Sequence, residues 1–231
     1  MKKLLVISAA LFLSLGLLAA EASAQGLLGK RYMALTFGHL LPSDSDLSKT
    51  DDTIVQLEAK VNFPLIKNLD VFAGLGFSQL KGNFVGDFRD VTVEKRRIDA
   101  GAAYQFFPGE QFNPFLQGTV GYVSRKTDNP SGDEDIADGG AGLGIEDQIA
   151  KKSGTDDDLA FGFTGGVEIP FGQQFAVTPT FSYRQVGDVD DFVGGVGATG
   201  WFNQIIFAGM SVAYGFDAKD FSYAGTFGFG F

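Results

Sequence analysis

Few residues in this chain have the type and spacing that chemistry needs. His39 is the only histidine, so a two-histidine metal site is excluded, and an imidazole acid-base catalyst would have to be this residue. There is no cysteine, which removes disulfides, thiolate zinc sites and thiol nucleophiles, and no nucleophile-elbow motif is present. Carboxylates are dense between Asp128 and Asp158, with Asp133, Glu134, Asp135, Asp138, Asp156 and Asp157 between them. Calcium takes six to eight oxygen ligands. However, Asp133, Asp135, Asp138 and Gly139 miss the EF-hand spacing, and Gly139 to Gly142 lack the Asp of the calcium nonapeptide. The acidic run reads as a solvated surface loop. Gly142-Leu143-Gly144 lacks the third glycine and the βαβ setting of a dinucleotide site. No catalytic, cofactor or metal residue is assigned, and no cofactor is expected.

Two other sets of charges have a pattern. Glu58, Lys60, Arg97, Asp99, Glu168 and Arg184 fall in mid-segment on one parity, with both signs balanced. Lys81, Arg96 and Lys126 fall on the opposite parity, near the ends of three segments that follow one another in the chain. What these sets can do depends on the elements that hold them.

The 231 residues are 45% hydrophobic, with 24 Phe, 32 Gly and a net charge of -10. That is room for one domain or one barrel. The aromatic content is too high for a disordered acidic chain, and the acidity argues against nucleic acid as a partner. Residues 1–24 read as a secretory signal peptide. Lys2 and Lys3 precede an apolar run from Leu4 to Ala20, and Ala22-Ser23-Ala24 forms a small-residue cleavage site before Gln25. The expected mature domain is 25–231.

No later stretch is long and apolar enough for a spanning helix. Instead, segments of about ten residues alternate strictly between apolar and polar or small residues. Between Ile54 and Phe63, Val55, Leu57, Ala59, Val61 and Phe63 oppose Gln56, Glu58, Lys60 and Asn62. The stretches Leu159 to Phe171 and Phe175 to Val186 divide as cleanly, and Arg31 to Leu40, Val71 to Gln79, Arg96 to Phe107, Phe115 to Arg125 and Phe202 to Phe216 do so less perfectly. These eight segments are expected strands.

Alternation alone does not say which face meets water, since soluble sandwiches share the period. The polar face here is largely small, with Gly74, Gly76, Ser78, Gly162, Thr164, Gly166, Ala176 and Thr178, and its few long charges balance. Such a face suits the inside of a narrow barrel, where an unpaired charge would be costly, so the six balanced charges are expected to form a structural network in the lumen. The expected fold is all-β, a transmembrane up-and-down antiparallel barrel. The connections near Pro64 to Asn68, Pro108 to Asn113 and Gly172 to Gln174 are short, and those at Leu41 to Asp52, Leu80 to Asp90 and Thr127 to Asp158 are long. This alternation predicts short turns at the periplasmic end and long loops outside. It also puts Phe63, Tyr104, Phe106, Phe171 and Phe175 in a periplasmic aromatic girdle. On that orientation Lys81, Arg96 and Lys126 point outward near the outer leaflet, where cations can meet lipopolysaccharide phosphates.

The runs from Asn113-Pro114-Phe115 to Gly121-Tyr122, Phe181 to Arg184 and Ser211 to Phe216 resemble the small outer-membrane β-barrels of Gram-negative bacteria, the OmpA/OmpX-like and porin-like barrel family. At the C-terminus Tyr223, Phe227, Phe229 and Phe231 alternate with small residues. This tail looks like the signal by which the barrel assembly machinery recognises its clients. The resemblance implies location in the cell outer membrane, contact with its lipid and lipopolysaccharide, and the assembly machinery and periplasmic chaperones as partners in biogenesis. It favours eight strands, the preferred count, with 220–231 as an attached or alternative terminal strand. Ten follow if 192–199 and 220–231 both join the barrel. Some relatives are lipid A deacylases or omptin-like proteases, but no Ser or Asp partner of His39 is evident, so no enzymatic role is assigned. The expected role is structural or surface-interactive through the outer loops. A narrow porin-like channel is the alternative.

Overall fold

The computed structural model describes residues 26–42, 53–82, 91–128, 154–172, 174–217 and 220–231. They form β1 (Tyr32–Pro42), β2 (Thr53–Ile66), β3 (Leu69–Gly82), β4 (Val91–Gln105), β5 (Asn113–Asp128), β6 (Gly154–Phe171), β7 (Phe175–Val186), β8 (Val189–Trp201), β9 (Ile206–Gly215) and β10 (Asp220–Gly230). Each strand pairs antiparallel with its chain neighbours. β10 then pairs with β1, from Tyr32 opposite Gly230 to Pro42 opposite Asp220. Closure leaves no edge strand with unpaired backbone groups, which hydrocarbon requires.

The preferred count of eight is therefore corrected to ten. Both segments in doubt join the barrel, 192–199 within β8 and the C-terminal tail as β10. β8 lacks visible alternation because two of its outward positions are glycines. Rings from neighbouring stretches cover them, Phe216 over Gly194 and Phe175 over Gly200. The outer apolar surface of β8 is thus partly borrowed, which sequence periodicity within the strand cannot show. Two strand boundaries and the pattern of connections also differ. β6 starts at Gly154, so Asp156, Asp157 and Asp158 are strand residues, not loop residues. The last expected segment starts as a strand only at Ile206. The alternation of short and long connections ends at β6, because those after β7 and β9 are also short. Asp133 to Asp138 and Gly139 to Gly144 lie outside the described residues.

Antiparallel partners share a face, so register fixes one face for the whole ring. The inner row through Glu58, Gly76, Arg97 and Val123 lies beside the outer row through Leu57 and Phe77. Exposure then separates the two sides. Leu75, Ile98 and Phe163 on the outside are 59%, 61% and 60% exposed, whereas the inward Val123, Phe207 and Asp70 are each at 0%. Large apolar side chains cover the outside and polar groups are buried within, the distribution of a barrel set in lipid. Of the expected girdle, Phe63, Tyr104, Phe106 and Phe171 are exposed near the turn end of the wall, while Phe175 packs over Gly200.

Candidate functional site in the barrel lumen

The middle of the lumen holds a cavity of about 220 Å³ whose lining includes Glu58, Lys60, Phe72, Arg97, Asp99 and Arg184. Arg97 on β4 bonds Asp99 at 2.8 Å and Glu58 on β2 at 3.4 Å. Both carboxylates are within reach because Gly74 and Gly76 of the intervening β3 leave room on the inner face. The Lys60 ammonium lies 4.1 Å over the Phe72 ring. Across the lumen Thr164 and Ser182 share a 2.9 Å hydroxyl pair.

Of the six charges expected to form one network, Glu58, Lys60, Arg97 and Asp99 line one wall. Arg184 instead pairs with Asp191 at 2.8 Å, a partner supplied by β8 and missed by the sequence reading. A second unexpected layer lies toward the outer end, where Arg125 faces Asp158 at 3.8 Å and Lys95 is its Cα neighbour on β4. The parity of Lys95, Arg125, Asp156 and Asp158 was the available signal, hidden because the acidic triplet was read as loop.

Glu168 lies elsewhere, at the end of the lumen where β1 begins and β10 ends. There the segment before β1 turns into the mouth. The Leu27 and Leu28 amides donate to Glu168 Oε2 at 3.0 and 3.4 Å, and the Gly29 amide donates to Asp70 Oδ2 at 2.7 Å. Asn62 Nδ2 donates to the Lys30 carbonyl at 2.8 Å and to Asp70 at 3.3 Å. Gly29 has φ of 77°, a left-handed turn that glycine makes without strain. The Lys30 ammonium sits 4.0 Å over Trp201, and burial lowers its pKa to about 8, with Glu168 opposing the shift. Leu27 packs on a buried cluster of Tyr32, Ala34, Trp201 and Phe207. The period of this segment gives no sign of such a role.

His39 faces outward, its ring stacked on Tyr223 at 5.4 Å, and its Nδ1 has no hydrogen-bond partner among the described residues. Arg96 and Lys126 also face outward, just beyond the apolar band. Each has an acidic neighbour on its own strand, Glu94 at 3.6 Å and Asp128 at 2.9 Å respectively. The backbone of Lys81 is opposite Thr53 and Thr92, on the same outward parity. Among the described residues no three His, Cys, Asp or Glu groups are placed to hold a metal ion.

A family model described as the outer membrane protein beta-barrel domain matches residues 10–205. The chain belongs to that family. It is an outer-membrane β-barrel protein, and β9 and β10, which lie beyond the match, complete its ring. Among solved structures it is similar to the transport unit of the autotransporter AIDA-I from Escherichia coli, with 8% identity, a TM-score of 0.51 and coverage of 93% of each chain. It is also similar to the translocator domain of the autotransporter NalP from Neisseria meningitidis, with 13% identity, a TM-score of 0.48 and coverage of 90% of this chain and 89% of that one. At 8% identity the likeness to the AIDA-I unit is one of fold. No curated protein matches the sequence.

Proposed function

We propose that this outer-membrane barrel is a closed-lumen scaffold acting through surface interactions, with 43–52, 83–90 and 129–153 as its long extracellular connections. In this reading residues 1–24 are removed on export, both termini face the periplasm, and the Tyr223 to Phe231 ladder serves as the assembly signal before it closes the seam against β1. One observation carries the proposal. Residues 26–31 lie across the periplasmic mouth, bonded to Glu168 and Asp70, with Leu27 against the aromatic wall of Tyr32, Trp201 and Phe207, and in this reading they stop the polar cavity at that end. The test is planar-bilayer recording of protein purified from outer membranes. A closed scaffold shows no steady single-channel current, whereas a persistent open conductance would establish the channel reading instead.

The collar of Lys81, Arg96 and Lys126 is assigned to lipopolysaccharide phosphates. The side chains of Arg96 and Lys126 start where the apolar band ends, Lys81 shares their outward parity, and contact with phosphate must compete with the acids beside Arg96 and Lys126. Replacing all three with Gln is expected to lower the unfolding midpoint more in bilayers containing lipopolysaccharide than in plain phospholipid. Equal losses in the two would reduce the collar to rim cations.

A further inference from the structure

The N-terminal segment crosses the whole width of the barrel. In a ring of ten, β6 stands five strands from β1 in either direction. Residues 26–31 start against Glu168 on β6 and end at the β1 wall, touching Asp70 on β3, Asn62 on β2 and Trp201 on β8 on the way. The fit at the far end is close enough that a Cβ on Gly26 would run into the Glu168 carboxyl.

We propose that this strap is a removable stopper and that the barrel has a second, conducting state, in which small hydrated cations pass the periplasmic mouth. The proposal rests on the closed-lumen reading and goes beyond it. The fastening is mostly polar: besides Leu27 and the Lys30–Trp201 contact, the strap bonds the carboxylates of Glu168 and Asp70 and the Asn62 side-chain amide, and the Arg31 carbonyl accepts from the Phe231 amide at 3.3 Å where it joins β1. Most of the surface it covers is also polar, the exception being the wall of Tyr32, Trp201 and Phe207 on which Leu27 rests. Asn62, Asp70, Gln105 and Asn113 are buried around the mouth beside Glu168. An apolar mouth would collapse or dewet when vacated, but this one exchanges strap amides for water, which satisfies the same groups. Beyond the mouth the path continues into the cavity lined by Lys60, Glu58 and Arg97. A ten-stranded ring is also wider than the eight-stranded one that side chains just fill. Release bares Asp70 and Glu168 at the entrance, which favours cations.

The test uses the full chain, expressed with its leader, purified from outer membranes and recorded in planar bilayers in potassium chloride. The paired change Asp70→Asn with Glu168→Gln should raise open probability by on the order of tenfold or more, since charge-assisted hydrogen bonds are lost. The pair Gly26→Cys with Glu168→Cys gives a reversible version in a chain with no other cysteine. Oxidised, it ties the strap to β6 and should be silent; reduced, it lacks the carboxylate latch and should conduct, then fall silent on reoxidation. Because reduction is carried out on barrels already inserted, a folding defect cannot produce the switch. Leu27→Asp, which keeps both mouth carboxylates, should give openings with a cation-selective reversal potential. Identical currents in the oxidised and reduced forms, or a latch pair as silent as the parent, overturn the stopper while leaving the closed scaffold intact. Steady current in the parent overturns the closed scaffold itself.

Discussion

Replacing Phe207 with Ala is expected to cost about 3 to 5 kcal/mol of barrel stability, the range for a fully buried ring. Phe207 points inward from β9 with no exposed surface, edge-on to Tyr32 at 5.5 Å and 4.9 Å from the Trp201 ring. It can lie there because its register partner on β10 is Gly228, where an added Cβ would meet the Phe207 ring and the Met33 backbone. Ring and glycine therefore form one size-matched pair beside the seam that closes β10 onto β1. Gly228→Ala alone should cost about 1 to 3 kcal/mol by overpacking. With Phe207 already truncated the clash with the ring is gone and only that with the Met33 carbonyl remains, so the double variant should lose less than the sum, by about 1 kcal/mol or more. Unfolding midpoints in urea, followed by the heat-modifiable gel shift of the folded barrel, measure all three variants. Strict additivity would show that the two positions do not share a packing site.

The parts of the fold that were legible in the sequence are those where a strand carries its own pattern. β2 and β7 show both faces within a dozen residues, and the long strand β6 shows them once its glycines are taken as inward-facing. β8 does not, because its outer surface at Gly194 and Gly200 is made by rings from outside the strand. The missing strand also concealed part of the lumen. Arg97 could be matched with Asp99 on its own segment and with Glu58 two segments away, but Arg184 needs Asp191, which exists as a partner only when β8 is in the ring. Glu168 had the right parity and the wrong depth. Arg184 is opposite Gly162, six residues along β6, which at about 3.3 Å per residue places Glu168 roughly 20 Å down the lumen. Parity records the face a residue occupies and says nothing of its height on the wall. The strap lies beyond either signal, since its bonds join backbone amides to carboxylates 41 and 141 residues away.

Removing the Arg97 charge should be the most damaging single change in the middle of the lumen. Arg97→Met leaves Asp99, whose side chain is 12% exposed, and Glu58, at 38%, facing each other without their shared cation. A wholly buried pair broken this way loses more, but Arg97 is itself 40% exposed to the lumen, so water screens the loss to about 2 to 3 kcal/mol. Arg97→Lys should recover only part of it, because a single ammonium cannot reproduce the forked geometry that reaches both carboxylates. The decisive comparison is Arg97→Met in a background of Glu58→Gln and Asp99→Asn. With no charge left to compensate, the triple variant should return to within about 1 kcal/mol of the parent in the same urea titration. A triple variant as unstable as the single one would mean that Arg97 acts through the volume of its side chain, and the ion pairs of the inner wall would then contribute little to holding β2, β3 and β4 in register.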